Sequence, residues 1–341
     1  MEQIIISNEI KKMSDEYANT LFKDKSEKFV QPIDGLKNLI LDLQEVNGTL
    51  PARDKYVKYV EEIIKDFSKL KNLLPSEYDK YKRKYDEILK DTLLSVNIKY
   101  RKRDLPKNKR ERRQLKVSSI SFSEEIVNRM HYKDVRPYLG KYMKQIGLNT
   151  CVYCNNSKAT YSERLKEVYY PFDHNKPKDK YPFLCICFFN LYPCCNTCNG
   201  HKLNDENKAF QIYIEEGLRK DPFVFEIERN RVIDGDPQSI IVDFKPRDSA
   251  DMTWKTEYDN CYRITELYNS EDEKRSCYKM LKDIDKYRAS YSDATEASLL
   301  MKVDRKYLFQ EVLGVDEDES NIFTDVNKKL KLDTAKDAHL I

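Results

Sequence analysis

The chain has 341 residues, 35% of them charged and 40% hydrophobic, with 61 Lys and Arg against 58 Asp and Glu for a net charge of +3. Mean hydropathy is −0.77, and no apolar run reaches membrane-spanning length, so a water-soluble protein is expected and a helical membrane span is excluded. A length of this size accommodates two domains or one elaborated domain, and the near-balanced charge means that affinity for a polyanion must come from local clustering.

Only eight glycines, and long stretches rich in Lys, Glu and Leu, favour a mainly helical fold. Residues 1 to about 95 read as helices. From Lys55 onward, Tyr56, Val57, Tyr59, Val60, Ile63, Ile64, Phe67 and Leu70 fall on one helical face. Pro75-Ser76 interrupts that pattern, and Ser76 with Asp79 resembles a capping box. Tyr78, Tyr81, Tyr85, Ile88 and Leu89 then continue as a second amphipathic helix, antiparallel to the first. These helices serve as scaffold or as a surface for a partner protein.

A basic stretch follows. Lys99, Arg101, Lys102, Arg103, Lys107, Lys109, Arg110, Arg112, Arg113 and Lys116 face only Asp104 and Glu111. Such a run is either a solvated linker or a source of sequence-independent phosphate affinity. Helices are expected near 123–132 and 136–146.

The most informative segment is the next one. Cys151 and Cys154, then Cys195 and Cys198, form two C-x-x-C pairs, C-V-Y-C and C-N-T-C. Four thiolates at this spacing suit a tetrahedral structural Zn²⁺. Nine cysteines and no signal peptide argue against disulfides and for an intracellular, cytoplasmic protein; Cys194, out of register, reads as a core thiol. Between the pairs, Y-Y-P-F-D-H rises as a short strand into Asp173-His174. A polar loop, a buried run from Phe183 to Pro193 containing Asn190, and a helix carrying Asn199 and Lys202 complete a strand–strand–helix unit.

These residues (C-V-Y-C, F-D-H-N-K-P-K-D-K-Y-P, F-F-N-L-Y-P and C-N-T-C-N-G-H-K) resemble the HNH endonuclease family of ββα-metal, or His-Me finger, nucleases. The resemblance covers about residues 145 to 210. It implies His174 as general base, Asn190 as its support, and Asp173 and Asn199 as ligands of a catalytic Mg²⁺ or Mn²⁺, with His201 as the rival to Asn199. It also implies products with a 5′-phosphate and a 3′-hydroxyl. The run D-H-x-x-P-K-x-K-Y-P followed by N-L-x-P is further similar to HNH proteins of phage-defence loci, some of which partner an ATPase, as in Septu-type systems. Lys202, about one helical turn from Asn199, is placed to contact a phosphate, and the basic stretch extends that role.

Downstream, Phe223, Phe225 and Ile227 alternate, as do Ile240, Val242 and Phe244, with D-G-D-P between them: a β-hairpin. Helical spacing returns from Tyr258 to Phe309, with Cys277, Met280, Leu281, Ile284, Tyr287 and Tyr291 on one face. Asp316 to Glu319 reads as a solvated acidic turn, 321–331 as a short helix, and the remainder as a polar tail. The expected fold is therefore α+β and mainly α-helical, with an embedded zinc-bound ββα module and a small hairpin. Its segments are 1–98 helical, 99–117 basic, 118–210 the zinc-bound module, and 211–341 hairpin then helices. The function expected is metal-dependent cleavage of nucleic acid, DNA ahead of RNA, with no membrane and with an ATPase or other defence protein as partner. A zinc-stabilised nucleic-acid-binding or adaptor protein with a degenerate site is the alternative.

Overall fold

The computed structural model describes residues 2–44, 52–98, 120–202, 211–215, 217, 221–228, 235–248, 252–292 and 305–341. The basic stretch from Lys99 to Lys116 lies outside them. The described chain is α+β and mainly helical, with four two-stranded sheets.

A short strand β1 (Ile4–Ile5) precedes α1 (Asn8–Thr20), which starts where the Ser7 hydroxyl accepts the Ile10 amide. Then come α2 (Pro32–Gln44), α3 (Arg53–Leu70), α4 (Tyr78–Ile88), α5 (Asp91–Leu94), α6 (Phe122–Arg129) and α7 (Tyr132–Gln145). The face predicted for α3 is the buried one: Tyr56, Tyr59, Val60, Ile63, Phe67 and Leu70 are in the core, while Val57 and Ile64 flank it half-buried. Helix α4 lies beside α3, joined by Lys84 to Glu62 at 2.6 Å and the Tyr85 hydroxyl to Asp66 at 3.1 Å.

The capping box is not formed. A 3₁₀ turn over Pro75–Glu77 carries the chain past Ser76 before α4 begins, and no side chain caps the helix. The Ser76 amide donates instead to Glu215.

The middle of the chain is arranged around Phe183–Pro193, every residue of which is buried. It folds as two 3₁₀ turns, Pro182–Leu184 and Phe188–Asn190, rather than as a long strand. The reason lies in its neighbours. Phe183 stacks on Tyr85 at 4.3 Å, the Ile186 carbonyl accepts from Tyr17 of α1, and the Phe188 amide donates to the Lys71 carbonyl. Up to Asn190 the backbone is satisfied by local turns and by single contacts of this kind, and only Leu191–Pro193 enters a strand ladder.

Strands β2 (Tyr161–Ser162) and β3 (Glu167–Val168) form a small antiparallel pair against α7. Strands β4 (Phe172–His174) and β5 (Leu191–Pro193) pair antiparallel, and α8 (Asn196–Lys202) follows. The chain returns through β6 (Tyr213–Ile214), parallel to β1. The expected hairpin is present as β7 (Phe223–Ile227) and β8 (Val242–Pro246), with Phe225 opposite Phe244. Helices α9 (Met252–Tyr262), α10 (Ile264–Tyr268) and α11 (Glu271–Ser292) follow, with Cys277, Met280, Leu281, Ile284 and Tyr287 buried.

At the C-terminus the helix expected at 321–331 is displaced. Ile322–Thr324 is a single 3₁₀ turn, Asn327 adopts φ +58°, and α12 (Lys328–Asp337, counting onward from α11) starts only there. Most of the expected polar tail continues this helix, which packs on β7 with Leu330, Leu332, Ala335 and Ala338 in the core. Its lysines concealed that. Lys329 is buried against Asp221 at 2.6 Å and Asp333 at 3.3 Å, and Lys328 donates to the Asp318 carbonyl at 2.7 Å. The acidic turn in front of Lys328 is largely exposed, as its composition implies.

Candidate active site and metal centre

The two C-x-x-C turns meet. The sulfurs of Cys151, Cys154, Cys195 and Cys198 all lie within 4.8 Å of one another. A tetrahedron with Zn–S bonds of ~2.3 Å has edges of ~3.8 Å, so the quartet fits such an ion with little movement. The local backbone is already turned to it: the Asn156 amide points at Cys154 Sγ and the Cys198 amide at Cys195 Sγ, each at 3.4 Å. Burial pushes the Cys151 thiol above its usual range, and the neighbouring Cys154 and Cys195 sulfurs push the same way. A bound divalent ion would relieve that load. Around the quartet, the Tyr258 hydroxyl donates to the Tyr153 carbonyl at 2.6 Å and the Tyr268 hydroxyl to the Cys154 carbonyl at 2.7 Å. Cys194 is buried and out of the cluster, facing the Pro171 carbonyl.

The first turn reaches β5 through the Val152 amide, which donates to the Pro193 carbonyl at 3.1 Å. Strand β5 in turn sets β4 in register, Asp173 opposite Tyr192 and His174 opposite Leu191. Asp173 is 5% exposed and His174 7%. Both line a cleft of about 540 Å³ with Asn199, Tyr132, Lys133, Arg136 and Lys178.

His174 has a defined protonation pattern. Its Nε2 lies 3.1 Å from the Cys185 carbonyl oxygen. A carbonyl only accepts, so Nε2 carries the hydrogen and Nδ1 the lone pair of a neutral ring. Burial pushes the pKa down to about 3, so the ring is neutral throughout the physiological range. Tyr132 packs on it at 4.5 Å and donates its own hydroxyl to the Phe172 carbonyl.

Asp173 is held from behind. Lys202 Nζ lies 2.8 Å from Asp173 Oδ2 and 2.8 Å from the His174 carbonyl, and the Tyr153 hydroxyl also donates to Oδ2. Burial raises the Asp173 pKa, opposed by Lys202 and Tyr153. Lys202 is itself 1% exposed. It therefore faces inward to Asp173, not outward to solvent as its place on an exposed helix implied.

Asn190 is fully buried. Its Oδ1 accepts the Lys176 amide at 2.7 Å, and its Nδ2 donates to the Lys176 and Leu184 carbonyls at 3.2 Å. It braces the loop after His174 at both ends, and its side chain makes no hydrogen bond to the ring. Asn199 and His201 part company: Asn199 lines the cleft, whereas His201 is exposed beside Cys195, Cys198 and Arg263 in a second hollow of about 270 Å³.

Sequence reasoning missed Tyr132, Lys133, Arg136 and Lys178. The only signal for the helical pair was its three-residue spacing, which one more charged helix in a chain that is 35% charged does not distinguish.

Among curated proteins, the Septu protein PtuB of Bacillus thuringiensis is similar to this chain, 36% identical over 77 residues. That stretch is 23% of this chain and 28% of the length of PtuB. No protein-family model matches the chain, and no solved structure matches it significantly. The chain is thus similar over a limited segment to a Septu protein and carries a four-cysteine cluster suited to zinc.

Proposed function

We propose that this protein is an HNH-type, metal-dependent nuclease acting in bacterial anti-phage defence together with a partner protein, an ATPase being the partner class that the Septu likeness suggests. The observation that carries the reading is His174: a neutral imidazole with Nε2 tied to a carbonyl, next to Asp173 on a cleft shared with Asn199. The strand–strand–helix order of β4, β5 and α8, anchored by the cysteine quartet, supports it.

In this reading His174 Nδ1 takes a proton from water as the water oxygen attacks phosphorus. The bond from phosphorus to the 3′ oxygen breaks, leaving a 5′-phosphate and a 3′-hydroxyl. Asp173 and Asn199 offer oxygen donors suited to Mg²⁺ or Mn²⁺. Such an ion, when bound, stabilises charge on the leaving oxygen. Asn190 holds the loop that carries Lys178, and Lys202 keeps Asp173 ionised and oriented. DNA is the first substrate to test.

The decisive experiment is cleavage of supercoiled plasmid, single-stranded DNA and RNA with Mg²⁺, Mn²⁺ or EDTA, beside His174→Ala. Cutting that needs metal and His174 is expected. A second reading, a zinc-stabilised nucleic-acid-binding or adaptor protein without catalysis, draws on one observation: Lys202 already neutralises Asp173. Binding without cutting, even with the partner ATPase added, would favour it.

A further inference from the structure

Three cations line the cleft beside Asp173, His174 and Asn199: Lys133, Arg136 and Lys178. They come from two elements, α7 and the loop after β4. Lys133 and Lys178 are exposed, so the cleft reaches the surface.

These three carry no carboxylate partner beside a site that contains one. Lys82, Lys84, Arg129 and Lys202 each meet a carboxylate. Among the described residues, Lys133, Arg136 and Lys178 meet none. Arg136 Nη2 donates to the Val168 carbonyl at 3.1 Å and the Tyr170 carbonyl at 2.6 Å, which fixes the guanidinium. Its Nε is buried with no hydrogen-bond partner. The Lys178 ammonium sits over the Tyr132 ring, 5.5 Å from its centroid.

Lys133 also lies in the first turn of α7, where a cation opposes the helix dipole. Local stability does not account for placing it there. The charge count indicates what does. One phosphodiester carries a single negative charge, too little to balance three cations next to a candidate metal site. Successive phosphates of a strand supply the rest.

We propose that Lys133, Arg136 and Lys178 form a docking wall for phosphates flanking the bond to be cut, so that the site takes a polynucleotide strand and not a lone nucleotide or inorganic phosphate. The proposal rests on the nuclease reading of the same cleft, but its test is separable because binding is measured without Mg²⁺ or Mn²⁺ and without cleavage.

The test is fluorescence anisotropy of a labelled DNA duplex with the zinc-loaded protein, without added Mg²⁺ or Mn²⁺, over a range of salt. Wild type is compared with the double variant Lys133→Ala/Lys178→Ala, with Lys37→Ala on α2 as control. Both lysines of the pair are exposed, so folding should survive, and melting checks this. The double variant should bind at least tenfold more weakly, and its log K against log [salt] slope should shrink by ~1.8, two contacts at about 0.9 each. Arg136→Lys should weaken binding as well. Unchanged affinity and slope in the double variant, with metal-dependent cutting intact, would overturn the wall and leave the nuclease standing. Wall-dependent binding by a protein that never cuts would do the reverse. Displacement of the duplex by a mononucleotide at equal phosphate concentration would make this a small-anion site and overturn the proposal.

Discussion

At the scale of single residues, Asp173 and Lys202 form the buried ion pair on which the cleft depends, with 6% and 1% side-chain exposure. Breaking such a pair from one side costs about 3–5 kcal/mol, because the remaining charge stays buried. Lys202→Met should lose about that much in urea unfolding, and Asp173→Asn in the same background should recover part of it. Additive losses in the double variant would mean that the two do not interact. His174 predicts a pH dependence. Its folded pKa, pushed down by burial to about 3, lies below the usual 6.5. The unfolded chain therefore binds the extra proton between those values. The stability contributed by the neutral ring is complete above pH ~6.5 and is lost as pH falls toward 3, at up to about 1.4 kcal/mol per unit. Unfolding of the zinc-loaded protein without added Mg²⁺ or Mn²⁺, from pH 7 to 4.5, should show a steeper decline for wild type than for His174→Gln. Much at this scale was legible: Asp173, His174, Asn190 and the four cysteines are singled out by type and spacing. What spacing does not convey is direction. Lys202 turns inward because a buried carboxylate needs a counter-charge, and Asn190 grips backbone rather than the imidazole.

At the scale of elements, the first cysteine turn is locked by Asn155, a residue that attracts no attention in the sequence. It is fully buried at φ +53°. Its Nδ2 donates to Thr150 Oγ1 and to the Ile322 and Asp325 carbonyls, and its Oδ1 accepts the Lys329 amide. One side chain thus ties the zinc turn to the C-terminal helix. Asn155→Ala should cost about 3 kcal/mol or more, since several buried polar groups lose partners at once, and it should weaken metal retention by the quartet. Cys195→Ser should release zinc outright and lower the melting temperature, as chelation of the wild type should. Zinc retention in the serine variant, followed by a dye-release assay, would remove Cys195 from the ligand set. Helix α3 and the β7–β8 hairpin were readable because their apolar residues recur at helical and at strand spacing. Phe183–Pro193 was readable as buried but not as 3₁₀ turns, because its partners are helices far away in sequence.

At the scale of the whole molecule, the site has no core of its own. Phe183, Ile186, Cys187 and Phe188 are sealed by Tyr85, Tyr17, Leu73 and Lys71 from the first hundred residues. A fragment of residues 118–210, zinc included, should therefore show little cooperative unfolding, whereas the full chain should melt as one unit. A sharp transition from the fragment would show that the N-terminal helices are dispensable. Truncation after Asp325 should likewise give insoluble protein, because it removes the helix that covers β7. The burial of that helix was missed for a physical reason. Hydropathy counts Lys328 and Lys329 as exposed charges, and only the tertiary structure supplies the acids that let them be buried.

The parallel pairing of β1 with β6 also has a consequence in time. Gln3 bonds the Gln211 carbonyl across 208 positions of sequence. At about 5–20 residues per second of synthesis, the first strand waits ~10–40 s for its partner. The segment that it fastens is the one leading away from α8. Asp173, His174 and Asn199 are made only at the end of that interval, ~1–8 s before Gln211, so the first strand of every nascent copy stays unpaired until the whole of the site has been synthesised.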